Sequence, residues 1–176
     1  MQSGNVFYFA YGSNLNPERM RRRLPFARAV GTATIRGWRL AERLYADIER
    51  AKGGRVHGVL FLLTPDELRT LDHYEGYPFV YRNALVKAHL DGAQTVRAIT
   101  YVMTPATRKE RMGRHYPEEY RRICSAGAQW WELPDPFARE GDRPPRGLDA
   151  FGGLRRGPSR TGWREQDFRL AIRANP

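Results

Sequence analysis

The sequence is short of cysteine, of lysine and of long apolar runs, and each shortage excludes something. Cys124 is the single cysteine in 176 residues. No internal disulfide can form, and a reducing compartment, the cytoplasm, is the default expectation. Cys124 and the four histidines (His57, His73, His89 and His115) show no metal-ligand spacing, so no metal site is expected. No apolar run approaches the length of a membrane span. The first residues carry no charged segment followed by an apolar one, so a secretory signal is not expected.

The scarcity of lysine qualifies the charge. The net charge is +11, yet only Lys52, Lys87 and Lys109 among the 30 basic residues are lysine. A compositional bias toward arginine produces that skew without any binding partner. The arginines also lie in separate groups: Arg19, Arg21, Arg22 and Arg23 on the first helix; Arg108, Arg111 and Arg114 with Lys109 in a later loop; and a scatter through the tail interleaved with acids. Groups of this kind are more often solvated surface than nucleic-acid sites, and no nucleic-acid module signature accompanies them.

What is present is a chain long enough for one domain with its own core. Asn5–Ala10 reads as a strand. Pro17–Leu24 suits a helix capped by Asn14 or Asn16. Strand-like segments follow at 29–35 and 38–44, with a turn at Gly37 and a loop over Ala51–Gly54. Val56–Leu63 is a buried strand. Thr64-Pro65-Asp66-Glu67 opens a helix with a capping box, and Gly76 suits its C-cap. Val80–Leu90 and Thr95–Met103 pair as strands across Asp91-Gly92. Pro117–Ala126 is a last helix ended by Gly127. Past residue 138 the composition turns to Pro, Gly and Arg, which divides the chain into a folded part, 1–138, and a basic tail, 139–176. Strands with few helices, not alternating with them, argue for an α+β fold.

Two stretches carry chemistry. Tyr8-Phe9-Ala10-Tyr11-Gly12-Ser13-Asn14-Leu15 runs from a strand into a polar turn and then a helix. Backbone N–H groups freed at such a turn can hold an anion or a developing oxyanion. The same residues also suit an ordinary strand-to-helix turn with no ligand. In Leu71-Asp72-His73-Tyr74-Glu75-Gly76-Tyr77, Glu75 falls in the last helical turn among aromatics. A carboxylate there has a raised pKa, which suits a general base, although an exposed acid in a helix cap fits the residues too. Tyr8 and Tyr101 are open to a core role, and Cys124 reads as a small buried apolar residue.

These stretches together resemble the γ-glutamylcyclotransferase family. The likeness rests on Tyr8–Leu15, on Leu71-Asp72 with Glu75-Gly76 after the Gly58-Val59 strand, and on Tyr101-Val102-Met103-Thr104 followed by Tyr120-Arg121-Arg122-Ile123, Gly127-Ala128 and Leu133-Pro134. It spans about residues 5–136 and implies a mostly antiparallel, barrel-like β-sheet with a few flanking helices. It also implies cofactor-free acyltransferase or amine-lyase type chemistry, in which a γ-glutamyl amide cyclises to 5-oxoproline and releases its amine. Under this resemblance Glu75 is the general acid/base. Tyr8, Phe9, Ala10, Tyr11, Gly12, Ser13 and Asn14, with Tyr120 and Tyr101, bind the substrate. The expected partner is a small γ-glutamyl molecule. A homodimer is left open, and neither a membrane nor a nucleic acid is expected. The alternative is a non-catalytic module of the same fold whose basic surface and tail contact nucleic acid or an acidic partner.

Overall fold

The computed structural model describes residues 4–90 and 94–139. The tail read from the composition, and the Asp91-Gly92 turn, lie outside these residues.

The chain opens with strand β1, Val6–Ala10, whose last four residues are buried. A single 3-10 turn, Ser13–Leu15, and helix α1, Pro17–Arg23, follow. Asn16 rather than Asn14 caps α1: its Oδ1 accepts from the Arg19 N–H at 3.1 Å. Next come two long strands, β2 (Arg28–Arg43) and β3 (Tyr45–Leu63). Helix α2 (Pro65–Glu75) starts with the capping box of Thr64 and Glu67 and ends on Gly76 in the left-handed conformation. Strands β4 (Tyr81–Leu90) and β5 (Thr95–Met103) form the second antiparallel pair. Helices α3 (Pro105–Glu110) and α4 (Glu118–Trp130) complete the described chain.

The five strands close into a barrel in the order β1-β3-β2-β4-β5. Every pairing is antiparallel except the seam, where Tyr8 of β1 meets Ile99 of β5 in parallel. Alternation along the strands puts one set of side chains inside. Phe7, Phe9, Ile35, Leu60, Leu63 and Met103 are among the fully buried ones. Each large apolar side chain buried in this way contributes roughly 1.5–3 kcal/mol.

Three expectations are corrected. The segments at 29–35 and 38–44 are one strand. Gly37 is not a turn but the site of a register jump, from Arg36 opposite Arg55 to Trp38 opposite Arg50. The Ala51–Gly54 stretch lies within β3 at that jump, and a Cβ on Gly54 would stand 2.4 Å from the Trp38 carbonyl oxygen. Glycine there permits close backbone contact rather than a break. The actual hairpin turn is at Leu44, which adopts φ 62°. Second, the segment of Arg108 is not a loop but α3, capped by Thr104. Third, α4 does not stop at Gly127 but runs on to Trp130.

The arm formed by the ends of β2 and β3 is fixed by a buried ion cluster. Asp47 is fully buried; its carboxylate accepts from Arg43 Nη1 and Arg108 Nε, each at 2.8 Å, and from the Met103 N–H at 2.9 Å. A buried carboxylate needs such partners to offset its lost hydration. The cluster also sets the position of the neighbouring Ala46, which faces the pocket described next.

Candidate active site

β1 ends at Ala10, and the chain must then turn sharply to start α1. The turn is held by its own carbonyls: Leu15 N–H donates to Gly12 at 2.9 Å and Asn16 N–H to Ser13 at 3.2 Å. The N–H groups of Gly12, Ser13 and Asn14 have no partner among the described residues. They are orphan donors at the start of a short helical segment.

Helix α4 presses on this turn from behind. A Cβ on Gly127 would lie 2.5 Å from the Asn16 nitrogen and 2.6 Å from the Leu15 carbonyl carbon, so the helix approaches backbone to backbone. Trp131 Nε1 donates to the Leu15 carbonyl at 2.8 Å. Gly127 is therefore a contact point inside the helix, which explains why reading it as a terminator failed. Gly12 is crowded in the same way, since a Cβ there would meet Ala46 Cβ at 3.0 Å and the Tyr120 hydroxyl at 3.1 Å.

In front of the turn lies a pocket holding about 300 Å³ of space open to solvent. Its lining brings together Tyr8, Tyr11, Gly12, Ser13, Asn14, Glu75, Tyr101 and Tyr120, all singled out from the sequence. Phe9 and Ala10 are not part of it. Both are fully buried in β1, and the Phe9 carbonyl accepts from Thr100 at 2.9 Å, so they support the turn from within the barrel wall. Ala46 and Tyr81 line the pocket and escaped the sequence reading. Tyr81 donates to the Ala46 carbonyl at 2.8 Å, and the Ala46 N–H donates to Tyr120 at 3.0 Å.

Glu75 is held by a short network. Asn14 Nδ2 donates to Glu75 Oε1 at 3.0 Å and to the Tyr8 hydroxyl at 2.8 Å. Arg23 Nη1 donates to Asn14 Oδ1 at 2.9 Å and to Glu75 Oε1 at 3.2 Å. Both recorded bonds fall on Oε1, and none among the described residues uses Oε2. The pKa of Glu75 is raised. Burial is the main cause, opposed by the charge of Arg23, the amide of Asn14 and the charge of Arg19. The sequence reading had the right direction but attributed it to the helix terminus and aromatic neighbours. Arg23, read as one of a surface group, is the residue it missed. Its place in the last turn of a helix that leaves the Asn14 turn was the available signal.

The tyrosines are kept neutral. Burial raises the pKa of Tyr8, Tyr11, Tyr101 and Tyr120. Tyr11 donates to the Tyr101 carbonyl at 2.6 Å, and Tyr101 donates to the Asp72 carboxylate. Cys124, behind Tyr120, is fully buried and its thiol is pushed up to about 12, chiefly by burial, so it stays protonated and unreactive. Among the described residues no group of histidine, cysteine and carboxylate side chains could hold a metal, and no helix is long and apolar enough to cross a membrane.

Comparison with known proteins places this arrangement. The family model described as gamma-glutamyl cyclotransferase, AIG2-like, matches residues 8–124, which include both the turn and Glu75. The chain belongs to this family. Among solved structures, a gamma-glutamyl cyclotransferase is 26% identical over 74% of this chain and 82% of its own, with a TM-score of 0.62. An uncharacterized protein from Homo sapiens has the same identity and coverage, with a TM-score of 0.63. A protein from Arabidopsis thaliana, solved in solution, is 26% identical over 70% of this chain and 83% of its own, with a TM-score of 0.54. A search of the curated proteins finds no significant match. The cyclotransferase family accounts for the barrel-like sheet with flanking helices, and supports a function of the γ-glutamyl cyclotransferase kind.

Proposed function

We propose that this protein cyclises a γ-glutamyl amide to 5-oxoproline and frees the amine, with Glu75 as the group that moves the proton. The observation that carries the reading is the partly buried carboxylate of Glu75, with Oε2 uncommitted, in one pocket with the orphan N–H groups of the Gly12–Asn14 turn.

The reaction needs both. The substrate's α-amine has a reference pKa of about 8 and is mostly protonated at neutral pH, so a base must release it. Glu75 takes that proton. The freed nitrogen attacks the γ-carbonyl carbon of the same molecule, forming the ring bond and placing negative charge on the carbonyl oxygen. The N–H groups of the turn are the donors for that oxygen. Glu75 returns the first proton to the leaving nitrogen, the original C–N amide bond breaks as the tetrahedral centre collapses, and the second proton of the attacking nitrogen passes through the carboxylate to the freed amine, which leaves as an ammonium. Attack within one molecule makes folding of the substrate the main task of the pocket. Neutral tyrosines suit that task because they add hydrogen bonds and shape without charge. The amine side of the substrate, whether amino acid, lysine ε-amine or another amine, is open, and a small panel decides it.

The test is release of 5-oxoproline from γ-glutamyl amino acids, ε-(γ-glutamyl)-lysine, glutathione and a γ-glutamyl-capped amine. Glu75→Gln is expected to keep its far-UV circular dichroism and cooperative melting while kcat falls by about 100- to 10,000-fold. Undiminished turnover in that variant would remove Glu75 from the mechanism. Absence of release from the whole panel by the wild type would overturn the activity itself.

A further inference from the structure

The stretch that supplies Glu75 also supplies Asp72, a second carboxylate that the proton transfer does not use. The two are three residues apart on α2 and so share a face of the helix. Arg23 and Asn14 serve Glu75. Among the described residues no cation forms an ion pair with Asp72. Its carboxylate is instead engaged by the Tyr101 hydroxyl, which donates to Oδ1. Tyr101 stands on β5 and lines the pocket, whereas Asp72 lies behind it, outside the lining.

A phenol has one proton and two lone pairs, so the place of its proton decides what it offers a ligand. A carbonyl or carboxylate oxygen only accepts. The partners therefore fix the direction of three bonds: Tyr101 donates to Asp72, Tyr11 to the Tyr101 carbonyl at 2.6 Å, and Tyr81 to the Ala46 carbonyl at 2.8 Å. None of these hydroxyls has a proton left for the pocket that all three line. They are also grouped around the base: burial raises the pKa of each, and the charge of Glu75 adds to the rise in all three. The wall formed by the turn is opposite in kind. The N–H groups of Gly12, Ser13 and Asn14 are orphan donors, and Tyr8 accepts from Asn14 Nδ2 at 2.8 Å, which leaves its own proton free. The pocket thus has a donor side and an acceptor side.

We propose that Asp72 is a positioning residue for the γ-glutamyl substrate: by taking the Tyr101 proton it makes that oxygen, together with those of Tyr11 and Tyr81, an acceptor for the substrate's α-ammonium. This rests on the cyclisation reading above and adds to it the orientation of the substrate. A γ-glutamyl group has one cationic donor, the ammonium, while its carbonyl and carboxylate oxygens only accept. The γ-carbonyl oxygen therefore goes to the turn and the ammonium to the phenols, beside Glu75. Neutral acceptors suit that place. They hold the ammonium, and they still hold the N–H bonds of the amine once Glu75 has taken the proton. A second carboxylate in the pocket itself would instead keep the proton on the nitrogen. Placed behind Tyr101, Asp72 sets the direction of the hydroxyl without adding its charge to the lining. Without it the Tyr101 hydroxyl can turn its proton inward, and a donor then faces the N–H bonds of the ammonium.

The test compares two ligands on the full chain: γ-glutamyl-alanine as substrate, and glutaryl-alanine, which lacks only the α-amine, as competitive inhibitor. Tyr101→Phe and Asp72→Leu are each expected to lower kcat/KM for γ-glutamyl-alanine about tenfold or more, the loss of a hydrogen bond to a charged group, while Ki for glutaryl-alanine stays within about twofold. Asp72→Asn keeps an amide oxygen that accepts the phenol proton, and is expected to restore kcat/KM to within about threefold of wild type. A merely structural role would weaken both ligands alike. That outcome in Tyr101→Phe, unchanged kinetics in Tyr101→Phe, or a loss in Asp72→Asn as large as in Asp72→Leu would overturn the proposal. Should Asp72→Leu not fold, Tyr101→Phe and Asp72→Asn carry the comparison. A wild type that releases no 5-oxoproline from any γ-glutamyl compound would instead overturn the cyclisation reading, so the two failures are told apart.

Discussion

Glu75 and Arg23 show how a single contact sets the working range of a site. Burial raises the pKa of Glu75, and Arg23, only 3.2 Å away, opposes the shift without cancelling it. The base must be ionised to accept a proton, so activity is lost as pH falls through that raised value. The acid limb of kcat/KM is therefore expected above the ordinary glutamate value of about 4.3. Arg23→Met removes the charge that favours the carboxylate. Its acid limb is expected to move to higher pH, and that of Arg23→Lys to lie between the two. A limb that stays in place in Arg23→Met would mean that the guanidinium does not act on Glu75. Asn14 links the two residues, since its amide oxygen takes the arginine and its nitrogen serves both Glu75 and Tyr8. The residues that the sequence revealed here were those with a distinctive local pattern, the Tyr-Gly-Ser-Asn turn and the glutamate before a C-cap glycine. Arg23 looked like its arginine neighbours because only the return of α2 to α1 distinguishes it.

At the scale of elements, the site depends on helix α4 being pressed against the turn. Gly127→Ala puts a methyl group 2.5 Å from the Asn16 nitrogen, where the obstacle is backbone and cannot swing aside. The expected cost is about 1–3 kcal/mol of stability by urea unfolding, together with a loss of turnover beyond what the stability change explains, because the turn carrying the orphan donors must shift. A variant with wild-type stability and rate would show that the helix yields instead. The same glycine marks where sequence reasoning ran out. Local rules gave the capping box of α2, its αL glycine and the starts of most strands, since those depend on neighbouring residues. Glycines whose role is a contact with a distant segment look identical to terminators and turns. Gly127 and Gly54 were misread for that reason, and Gly37 was misread because a register jump leaves no local trace. Tyr81 and Ala46 reach the pocket through hairpin register alone.

For the whole molecule, the barrel and its flanking helices supply both the pocket and its supports within residues 4–139. Residues 8–124 match the family, and the last described segment packs back: Phe137 is buried, and its carbonyl accepts from Arg121 at 3.0 Å. Asp135 takes the Ser125 hydroxyl and the N–H groups of Phe137 and Ala138. This return anchors α4, which in turn holds the Leu15–Asn16 backbone. The boundary of the working domain should therefore fall after these residues and not before them. A chain ending at Arg139 is expected to melt within a few degrees of the full chain and to keep its rate of 5-oxoproline release. A chain ending at Trp131 loses the packing of Phe137 on Tyr116 and removes the Arg121 and Asp135 contacts. Burial of one phenylalanine is worth about 1.5–3 kcal/mol, so this shorter chain is expected to melt lower by several degrees. If the chain ending at Arg139 instead loses its cooperative transition, the domain extends into the residues beyond, and the division at 138 read from composition is wrong. Equal melting of both truncations would mean that the Asp135–Phe137 return is not what keeps α4 against the turn.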